Sequence, residues 1–458
     1  MKYYENILET IGRTPLVRLN RIFGNCQGLA LAKVEAFNPG GSVKDRIGIN
    51  MIDEAERTGI LKPGGTIIEC TSGNTGFGLA LVAAVRGYRA IFTMPDKVAL
   101  EKSRLLKAIG AEVRLCPTAV EPDDPKSYYS VAKKLHAEIE NSFYPNQYHN
   151  PMNPDAHVKS TGPEVWEDTD GKITHFVAGM GTGGTISGIG QVLKKHNPDV
   201  KVIGSDPVGS LYTEYARTGE LTEAHTYLVE GIGEDFLPTT IDFSVIDEVI
   251  QVGDRESFRW ARRLAREEGI LSGSSAGNAI GAAAEVAKRL GPDDVMVVLI
   301  PDTGERYLSK VYDDDWLRRH QLIDSPLSLT AGEILGSGEG EREVYAVAPD
   351  ATIRVAMQLM REHDVSQVPV LDGGRSVGSV RESQVIECLL QGEAALEHPV
   401  SEIMADAFPE LPESATADEI FSCLDEPSSA VLIGGGGSFR IITKYDLIHS
   451  VRGKARSS

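Results

Sequence analysis

Short apolar runs alternate with amphipathic helical stretches between about residues 11 and 316. The clearest apolar runs are 66–70, 90–94, 112–116, 175–178, 201–204 and 295–300. Helix-like segments lie between them at 78–86, 101–109, 185–195, 255–268 and 276–290. Because a connecting helix lets successive strands run in the same direction, this alternation predicts an α/β fold with largely parallel sheets. Functional residues are then expected in the turns at the carboxyl ends of the strands.

The size and charge of the chain limit the classes of protein to which it can belong. With 458 residues it is expected to hold more than one domain. A formal net charge of −20 argues against a general nucleic-acid or membrane-surface binder, because those partners are themselves anionic. No apolar run is long enough to span a bilayer, and the first residues have no signal-peptide pattern. The five scattered cysteines, without a C-x-x-C, and the ten dispersed histidines predict a cytoplasmic protein without a metal site.

A Pro-Gly-Gly turn precedes Lys44 at the start of a predicted helix. Residues 38–46 read Asn-Pro-Gly-Gly-Ser-Val-Lys-Asp-Arg, and apolar residues follow at helical spacing. A lysine backed by apolar structure loses hydration, which lowers its pKa and frees the amine to act as nucleophile and base. Taken alone, the stretch favours an ordinary solvated lysine in a first helical turn. The turns further along the chain change that interpretation.

A polar turn at residues 71–76 follows one predicted strand and opens a helix. Its sequence is Thr-Ser-Gly-Asn-Thr-Gly. Hydroxyls, an amide and backbone N–H groups at a helix N-terminus suit an anion such as a carboxylate. A glycine-rich turn with capping residues has the same composition, but the density of donors favours a binding site.

A second glycine-rich turn covers residues 179–185. It fits G-x-G-x-x-G at Gly179, Gly181 and Gly184, and Asp206 ends the next strand near the spacing of a ribose-binding acid. A dinucleotide site is therefore one hypothesis, and a cradle for a single phosphate group is another. A reactive lysine together with a phosphate cradle indicates pyridoxal phosphate held as a Schiff base, whereas a nicotinamide enzyme has no need of that lysine.

A third loop, residues 271–277, reads Leu-Ser-Gly-Ser-Ser-Ala-Gly and precedes a predicted helix. A neutral serine hydroxyl there can hydrogen-bond a pyridine nitrogen without protonating it. The ring is then a weaker electron sink, which suits β-elimination and β-replacement better than transamination. On its own, the loop is more typical of a helix N-cap than of a site.

Together these motifs resemble the β family of pyridoxal-phosphate enzymes, fold type II, which includes cysteine synthases, cystathionine β-synthases and threonine synthases. The resemblance runs from Ile11-Gly12-Arg13-Thr14-Pro15 to Leu317, with the motifs in the order of the family. It implies a catalytic unit of two subdomains and pyridoxal 5'-phosphate as the cofactor.

The resemblance also implies roles for single residues. Lys44 would carry the cofactor and act in catalysis, Asn74 would contact its ring hydroxyl, and Ser275 would pair with the pyridine nitrogen. The implied phosphate loop is Gly181, Thr182, Gly183, Gly184 and Thr185. The implied contacts of the substrate are Thr71, Ser72, Thr75, Gln147 and Tyr148. No haem and no metal are expected.

The segment 230–238, Glu-Gly-Ile-Gly-Glu-Asp-Phe-Leu-Pro, is similar to the E-G-I-G-x-D-F-x-P segment of cystathionine β-synthases. Cysteine synthases tend to have glycine where Asp235 stands. The animal enzymes usually have tyrosine where Glu234 stands, so this chain departs from them there, and the bacterial, haemless type is closer. The departure concerns how the second substrate is recognised.

The C-terminal part contains a weak internal repeat after a stretch typical of a linker. It resembles a pair of CBS domains, also called a Bateman module. The expected organisation is a catalytic domain at 1–320, a linker at 321–341, a first CBS domain at 342–396 and a second at 397–458.

Such pairs bind adenosine-containing ligands in many proteins. The usual ligand pattern survives in the second copy as Thr443 and Asp446, while the first copy has Arg381 and Gln384 at the equivalent positions. The implied effector is S-adenosylmethionine or an adenine nucleotide, and a purely structural or dimerising module is an equal alternative.

The resemblance therefore implies a lyase that condenses L-serine with L-homocysteine to L-cystathionine and water, in transsulfuration and cysteine biosynthesis. The nearest alternative is a cysteine synthase that uses sulfide with O-acetylserine or serine. An alternative of another class is a nucleotide-sensing CBS module on an inactive scaffold. A homodimer is expected, with a homotetramer as the higher state, and neither nucleic acid nor membrane is an expected partner.

Overall fold

The computed structural model describes residues 1, 3–24, 26–71, 73–96, 98, 100–117, 120, 124–323, 329–336, 344–424, 430–435 and 438–447. Ser72, one of the expected substrate contacts, lies outside these residues. The chain divides into two compact units, Met1–Leu317 and Arg318–Ser458. In the described part of the chain, no helix is long and apolar enough to cross a membrane.

The larger sheet of the first unit is mostly parallel. Its strands are β1 (Leu16–Arg18), β2 (Leu29–Val34), β7 (His175–Gly179), β8 (Lys201–Pro207), β9 (Glu248–Val252) and β10 (Val295–Ile300). They lie in the order β1-β2-β10-β7-β8-β9, and β1 alone is antiparallel to its neighbour among these strands. Residues 296–300 of β10 are buried, which is typical of a central strand covered on both faces.

The smaller sheet of the first unit is parallel throughout its described strands. These are β3 (Thr66–Cys70), β4 (Arg89–Pro95), β5 (Glu112–Cys116) and β6 (Ser142–Phe143), in the order β5-β4-β3-β6. The prediction of an α/β fold with largely parallel sheets is therefore confirmed.

Helices connect these strands and cover the sheets. The helices of the first unit are α1 (Lys44–Arg57), α2 (Asn74–Arg86), α3 (Leu100–Ala108), α4 (Tyr128–Glu138), α5 (Met152–Lys159), α6 (Thr161–Asp168), α7 (Gly184–His196), α8 (Tyr212–Thr218), α9 (Asp254–Glu268), α10 (Ser274–Ala287) and α11 (Asp314–Arg319, which ends in the second unit). Short 3₁₀ turns lie at Ile7–Thr10, Glu35–Phe37, Phe243–Val245 and Gly304–Tyr307.

Separate apolar cores hold the two sheets. One core packs α9 and α10 against the larger sheet, and a second packs α7 against that sheet. A third core packs α1 and α2 against the smaller sheet through side chains such as Met51, Ile52 and Leu79, which are fully buried. Burying a side chain of this size stabilises a fold by about 1.5–3 kcal/mol. These cores fix the helix N-termini that follow β3, β7 and β9.

The second unit contains two repeats of similar order. The first has α13 (Ile353–His363), β11 (Gln367–Asp372), β12 (Arg375–Arg381) and α14 (Glu382–Gln391), followed by 3₁₀ turns at Glu393–Glu397 and Val400–Glu402. The second has β13 (Glu410–Leu411), α15 (Ala417–Cys423), β14 (Ala430–Gly435) and β15 (Ser438–Thr443). Each repeat has its own apolar core.

The expected linker at 321–341 contains a helix, α12 (Ala331–Gly336). Leu329, Ala331 and Ile334 are buried in the core of the second repeat. Their spacing places them on one side of a helical turn, which explains why this short segment packs instead of remaining extended.

Candidate active site

The turn before α1 is paired with the segment that follows β10. The N–H of Val43 donates to the carbonyl of Pro301 at 2.8 Å, and the N–H of Thr303 donates to the carbonyl of Gly41 at 3.0 Å. These bonds hold Lys44, the first residue of α1, beside the carboxyl end of the central strand. This is the edge of a parallel sheet at which active sites are expected.

Lys44 is partly buried, and the charges of three carboxylates act on its amine. Burial lowers the pKa of Lys44 below its usual value. The charges of Asp302, Glu234 and Glu35 act in the opposite direction but do not cancel the effect of burial. A lysine in this condition has a larger neutral fraction than a solvated one, so it can serve as a nucleophile and a base.

A buried ionic network fixes the first turn of α1. Arg46 pairs with Glu35 at 2.7 Å and with Glu164 at 2.6 Å, and Lys33 pairs with Glu164 at 3.0 Å. Burial by itself would raise the pKa of Glu164, but hydrogen bonds and charge from Arg46 lower it to about 2. Because the ions are paired and hydrogen-bonded, the network orients the helix that carries Lys44.

Asp302 organises the residues around Asn74. One of its carboxylate oxygens accepts the side-chain amide of Asn74 at 2.7 Å and the hydroxyl of Tyr307 at 2.5 Å. Arg306 donates to the other end of the Asn74 amide and to the carbonyl of Gly40. The Asn74 side chain, at the N-terminus of α2, is therefore locked next to the turn that precedes Lys44.

The two expected carboxylate contacts Thr75 and Gln147 touch each other. The hydroxyl of Thr75 donates to the side-chain oxygen of Gln147 at 2.6 Å, and both side chains are buried. This bond leaves the NH₂ group of Gln147 without an acceptor within the described residues. Thr71 lies in the same turn, where its hydroxyl oxygen accepts the N–H groups of Gly73 and Gly76 at 3.1 and 3.3 Å. Free donors in this place suit a carboxylate ligand.

Tyr148 follows Gln147 and packs edge-on against Phe236, with ring centroids 5.1 Å apart. Burial raises its pKa well above the usual value, and the charge of Glu234 adds to that. Its phenol is therefore a neutral group with a hydrogen to donate.

The turn between β7 and α7 is shaped for a close approach to a ligand. Gly183 has φ of +80°, a conformation that favours glycine. A Cβ atom on Gly184 would lie 2.1 Å from the side-chain oxygen of Asn153. Gly183 is thus required by its backbone conformation, and Gly184 by the lack of space for a side chain.

Side chains of α5 hydrogen-bond two hydroxyl groups in this turn. The Thr182 oxygen accepts the side-chain amide of Asn153 at 2.9 Å and the N–H of Gly184 at 3.4 Å. The Thr185 hydroxyl lies 3.2 Å from Nε2 of His157. Burial lowers the pKa of His157 well below its usual value, so the imidazole is neutral.

This donor set fits a phosphate group. The oxygen of Thr182 already accepts two hydrogen bonds, so its own hydrogen is free for an outside acceptor. The first N–H groups of α7 have no partner inside the helix, and the helix dipole favours an anion at that end. A phosphate cradle and a lysine of lowered pKa in one unit match the needs of pyridoxal phosphate.

Ser275 is buried in the first turn of α10, and within the described residues its hydroxyl has no hydrogen-bond partner. Its loop lies against the Asp302 cluster, because a Cβ atom on Gly273 would be 2.9 Å from Asp302 and 2.6 Å from the Tyr307 ring. The Ser275 hydroxyl can therefore hydrogen-bond a ligand at this loop.

The structure argues against the dinucleotide hypothesis, because Asp206 is not placed to bind a ribose. Asp206 is fully buried, and one of its oxygens accepts the N–H and the hydroxyl of Thr213 at 2.9 and 2.7 Å. This carboxylate caps the start of α8 and is not presented to a ligand.

The two expected effector residues are neighbours at the end of β15. The carboxylate of Asp446 accepts both the N–H of Thr443, at 2.8 Å, and its hydroxyl, at 2.7 Å. In the first repeat, the Gln384 side chain accepts the N–H of Arg381 at 2.8 Å in the same manner. Both pairs close the turn that follows a strand.

Several residues at the site were not expected from the sequence. They are Asn153, His157, Asp302, Arg306 and Tyr307. Asp302 directly follows an apolar strand, so the rule that sites lie at the carboxyl ends of strands could have found it. Asn153 and His157 act through space from α5, and no motif marks them. As for metals, the part of the chain that the structure describes has no cluster of three or more His, Cys, Asp or Glu residues that could hold an ion.

Comparison with known protein families covers both units. Residues 7–302 match the family described as pyridoxal-phosphate dependent enzyme, and residues 340–391 match the CBS domain. Among solved structures, that of an O-ureido-L-serine synthase has a TM-score of 0.63 and 39% identity over 68% of this chain and 96% of that chain. A hydrogen sulfide-producing enzyme from Fusobacterium nucleatum has a TM-score of 0.62 and 34% identity over 67% of this chain and 99% of that chain.

Several relatives align with nearly the whole chain. Cystathionine beta-synthase of Oryctolagus cuniculus is 39% identical over 99% of this chain and 86% of its own length. The enzyme of that name from Saccharomyces cerevisiae is 34% identical over 97% of both chains, and that of Rattus norvegicus is 42% identical over 89% of this chain and 73% of its own. The chain therefore belongs to the cystathionine β-synthase family of pyridoxal-phosphate-dependent enzymes.

Proposed function

We propose that the protein condenses L-serine with L-homocysteine to give L-cystathionine and water. The observation that carries this proposal is the position of Lys44, a lysine of lowered pKa at the edge of the sheet where Asn74 is also held. The similarity to cystathionine beta-synthases extends over nearly the whole chain, including the C-terminal unit.

Each residue of the site has a part in this reaction. Pyridoxal phosphate, when bound, supplies an electron sink that makes the α-hydrogen of an amino acid acidic. The Lys44 amine takes that proton and gives a proton to the departing β-hydroxyl, so a C–O bond breaks and water leaves. The thiol of the second substrate then loses its proton as the C–S bond forms, and Lys44 returns a proton to the α-carbon. Ser275 offers a neutral hydroxyl to the ring nitrogen.

The remaining residues bind and orient. Asn74 contacts the ring hydroxyl, and Thr75 and Gln147 hold the substrate carboxylate together with Thr71 and Ser72. The phosphate loop Gly181–Thr185 anchors the cofactor through Thr182, Thr185 and backbone N–H groups.

Product analysis tests the reaction directly. With serine and homocysteine the protein is expected to form cystathionine, and in a competition with sulfide it is expected to favour homocysteine. A large preference for sulfide would make the protein a cysteine synthase instead. A purified protein that binds no cofactor and shows no turnover would favour the alternative of a nucleotide-sensing CBS module on an inactive scaffold.

The Lys44→Ala variant tests the catalytic role. It is expected to lose the visible absorbance of the bound cofactor and at least about 10²-fold in turnover, since a positioned acid–base group contributes 10²–10⁴-fold. Lys62→Ala, at an exposed lysine, is the control and is expected to keep both properties. An active, coloured Lys44→Ala protein would contradict the proposal.

The C-terminal unit is proposed to bind an adenosyl ligand, S-adenosylmethionine or an adenine nucleotide, beside Thr443 and Asp446. The match of residues 340–391 to the CBS domain supports the kind of module, and the choice of site rests on the turn that Thr443 and Asp446 close. Calorimetric titration of the full chain with S-adenosylmethionine and with ATP tests it, and Asp446→Ala is expected to weaken the binding because it releases the turn at Thr443.

The absence of haem, at least a dimeric state and a cytoplasmic location stay predictions. A Soret band in the purified protein or a monomeric mass would overturn the first two.

A further inference from the structure

The segment 230–234 is fixed against two loops of the proposed active site. The N–H of Glu230 donates to the hydroxyl of Ser274 at 3.0 Å, next to Ser275. The N–H of Gly233 donates to the carbonyl of Met180 at 2.6 Å, next to the phosphate loop. Glu234 therefore comes directly after a backbone segment that is hydrogen-bonded to both loops.

The backbone of Glu234 is itself held. Its N–H donates to the Ser210 hydroxyl at 3.2 Å, and its carbonyl accepts the N–H of Leu211 at 3.1 Å. Its carboxylate, in contrast, is partly buried and has no hydrogen bond or ion pair to any residue that the structure describes. The nearby carboxylate of Glu230 is paired with Lys102 and, at 2.6 Å, with Lys310. A fixed backbone with an unpaired carboxylate is a ready acceptor for a cation.

The charge of Glu234 acts on Lys44 and on several phenols. The charge of Glu234 raises the pKa of Lys44 against the effect of burial. Burial raises the pKa of Tyr148 and of Tyr227, and in both the charge of Glu234 is the next cause. The Tyr227 hydroxyl oxygen is 2.6 Å from where a Cβ on Gly233 would stand, so this ring lies directly beside the segment. Within the described residues, the hydroxyls of Tyr148 and Tyr227 also have no partner.

One carboxylate and two neutral phenol oxygens are the acceptors that an alkylammonium group prefers. Burial and the charge of Asp235 raise the pKa of Glu234, while the charge of Lys44 lowers it. An ammonium ion beside Glu234 would lower the pKa of Glu234, as the charge of Lys44 does, and so favours the ionised carboxylate.

The reaction leaves one ammonium group to be bound. In the proposed reaction, L-serine would use its amino group to join the cofactor and its carboxylate to bind Gln147, so its binding would not need Glu234. The second substrate, if it is an amino-acid thiol, arrives with a free ammonium group, whereas inorganic sulfide has none.

We propose that Glu234, with the phenol oxygens of Tyr148 and Tyr227, binds the α-ammonium group of the second substrate and makes the enzyme select an amino-acid thiol over sulfide. This inference rests on the proposed function. It assigns to Glu234 a specificity role in the second half of the reaction and none in the binding of serine.

The experiment compares three thiols with the holoenzyme and with Glu234→Gln. They are homocysteine, sulfide and 4-mercaptobutanoate, which is homocysteine without its amino group. For the wild type, kcat/KM with homocysteine is expected to exceed that with 4-mercaptobutanoate. Glu234→Gln is expected to lower kcat/KM for homocysteine about ten- to hundredfold, through KM, which is the range for a lost hydrogen bond to a charged group. Both other thiols are expected to stay within about twofold of the wild type.

Two controls separate specificity from structure. Glu220→Gln removes an exposed carboxylate and is expected to leave all three thiols unchanged. Glu234→Asp keeps the charge and is expected to recover part of the homocysteine activity. The serine-dependent change in visible absorbance is expected to be the same in Glu234→Gln as in the wild type.

The outcomes are distinct. An equal loss for all three thiols, or no loss for homocysteine, would overturn the role of Glu234 while the proposed function stood. A wild-type enzyme that forms no cystathionine but uses sulfide would overturn the proposed function and this inference with it.

Discussion

At the scale of single residues, Asp45 is the group whose protonation most directly affects the active-site turn. One of its carboxylate oxygens accepts the N–H of Gly40 at 2.5 Å, and the other is buried with no hydrogen-bond partner within the described residues. Burial raises the pKa of Asp45 to about 7, although Gly40 and Arg306 act to lower it. The carboxyl group next to Lys44 is thus best accommodated when it is neutral.

The pH dependence of stability follows from this shift. In the folded state Asp45 keeps its proton up to about pH 7, while in the unfolded chain it loses it near pH 4. Its contribution to stability is therefore present below about pH 4 and is lost as the pH rises to about 7. The free energy of unfolding of Asp45→Asn, which is always neutral, is expected to rise relative to that of the wild type across that window. The gain is about 4 kcal/mol, since the pKa of Asp45 is raised by about three units and one unit corresponds to about 1.4 kcal/mol.

Urea unfolding at pH 5 and pH 8 measures this difference. The gap between Asp45→Asn and the wild type should be larger at pH 8, and the exposed Asp199→Asn should show no such change. An equal gap at both pH values would mean that Asp45 is ionised in the folded protein throughout.

Lys44 and Gly181–Thr185 could be proposed from the sequence because each stands in a short glycine-containing motif at the start of a predicted helix. Gln147 required the resemblance to a family, since its contact with Thr75 joins residues 72 positions apart. Asp302 and Asn153 form long-range hydrogen bonds from outside any motif, so only the folded chain identifies them.

At the scale of elements, the start of α7 depends on its packing against α5. Gly184 has no room for a methyl group because a Cβ atom would be 2.1 Å from the Asn153 oxygen. Gly184→Ala is expected to displace Asn153 from Thr182 and from the carbonyl of Gln147, which its amide reaches at 2.8 Å. We expect the dissociation constant for pyridoxal phosphate to rise about five- to thirtyfold, as for the loss of one or two hydrogen bonds at about 1 kcal/mol each.

Equilibrium dialysis with pyridoxal phosphate measures that constant, and far-UV circular dichroism checks that the variant is folded. Gly253→Ala is the control, since the nearest atom to a Cβ there is 3.9 Å away. A folded Gly184→Ala protein with unchanged affinity would show that the contact between α5 and the loop does not support the cofactor.

Element boundaries were predictable where apolar periodicity sets them. The expected strands at 66–70, 112–116 and 295–300 coincide with β3, β5 and β10. The helix expected from residue 78 begins at Asn74, because the small polar residues ahead of it carry no apolar period and are held by tertiary hydrogen bonds. The two-residue β6 and three-residue β1 are too short to leave a pattern.

At the scale of the whole molecule, the sequence indicated parallel sheets but not their strand order. In the order β1-β2-β10-β7-β8-β9, β10 lies between β2 and β7, which come much earlier in the chain. Such pairing depends on long-range packing and leaves no local signal. The change in composition near residue 316 predicts a boundary there, and the chain divides into compact units between Leu317 and Arg318.

Because the cores of Met1–Leu317 lie within that unit, the catalytic part should fold without the rest. A chain ending at residue 321 is expected to bind pyridoxal phosphate and to form cystathionine with kcat within about threefold of the full chain, since all proposed catalytic and cofactor-binding residues precede that point. In calorimetry it should give no heat with S-adenosylmethionine, while the full chain gives a saturable signal. Retained binding by the shortened chain would place the effector site in the first unit. An effector that binds the full chain but changes neither its turnover nor its thermal midpoint would show that the C-terminal unit does not regulate the enzyme.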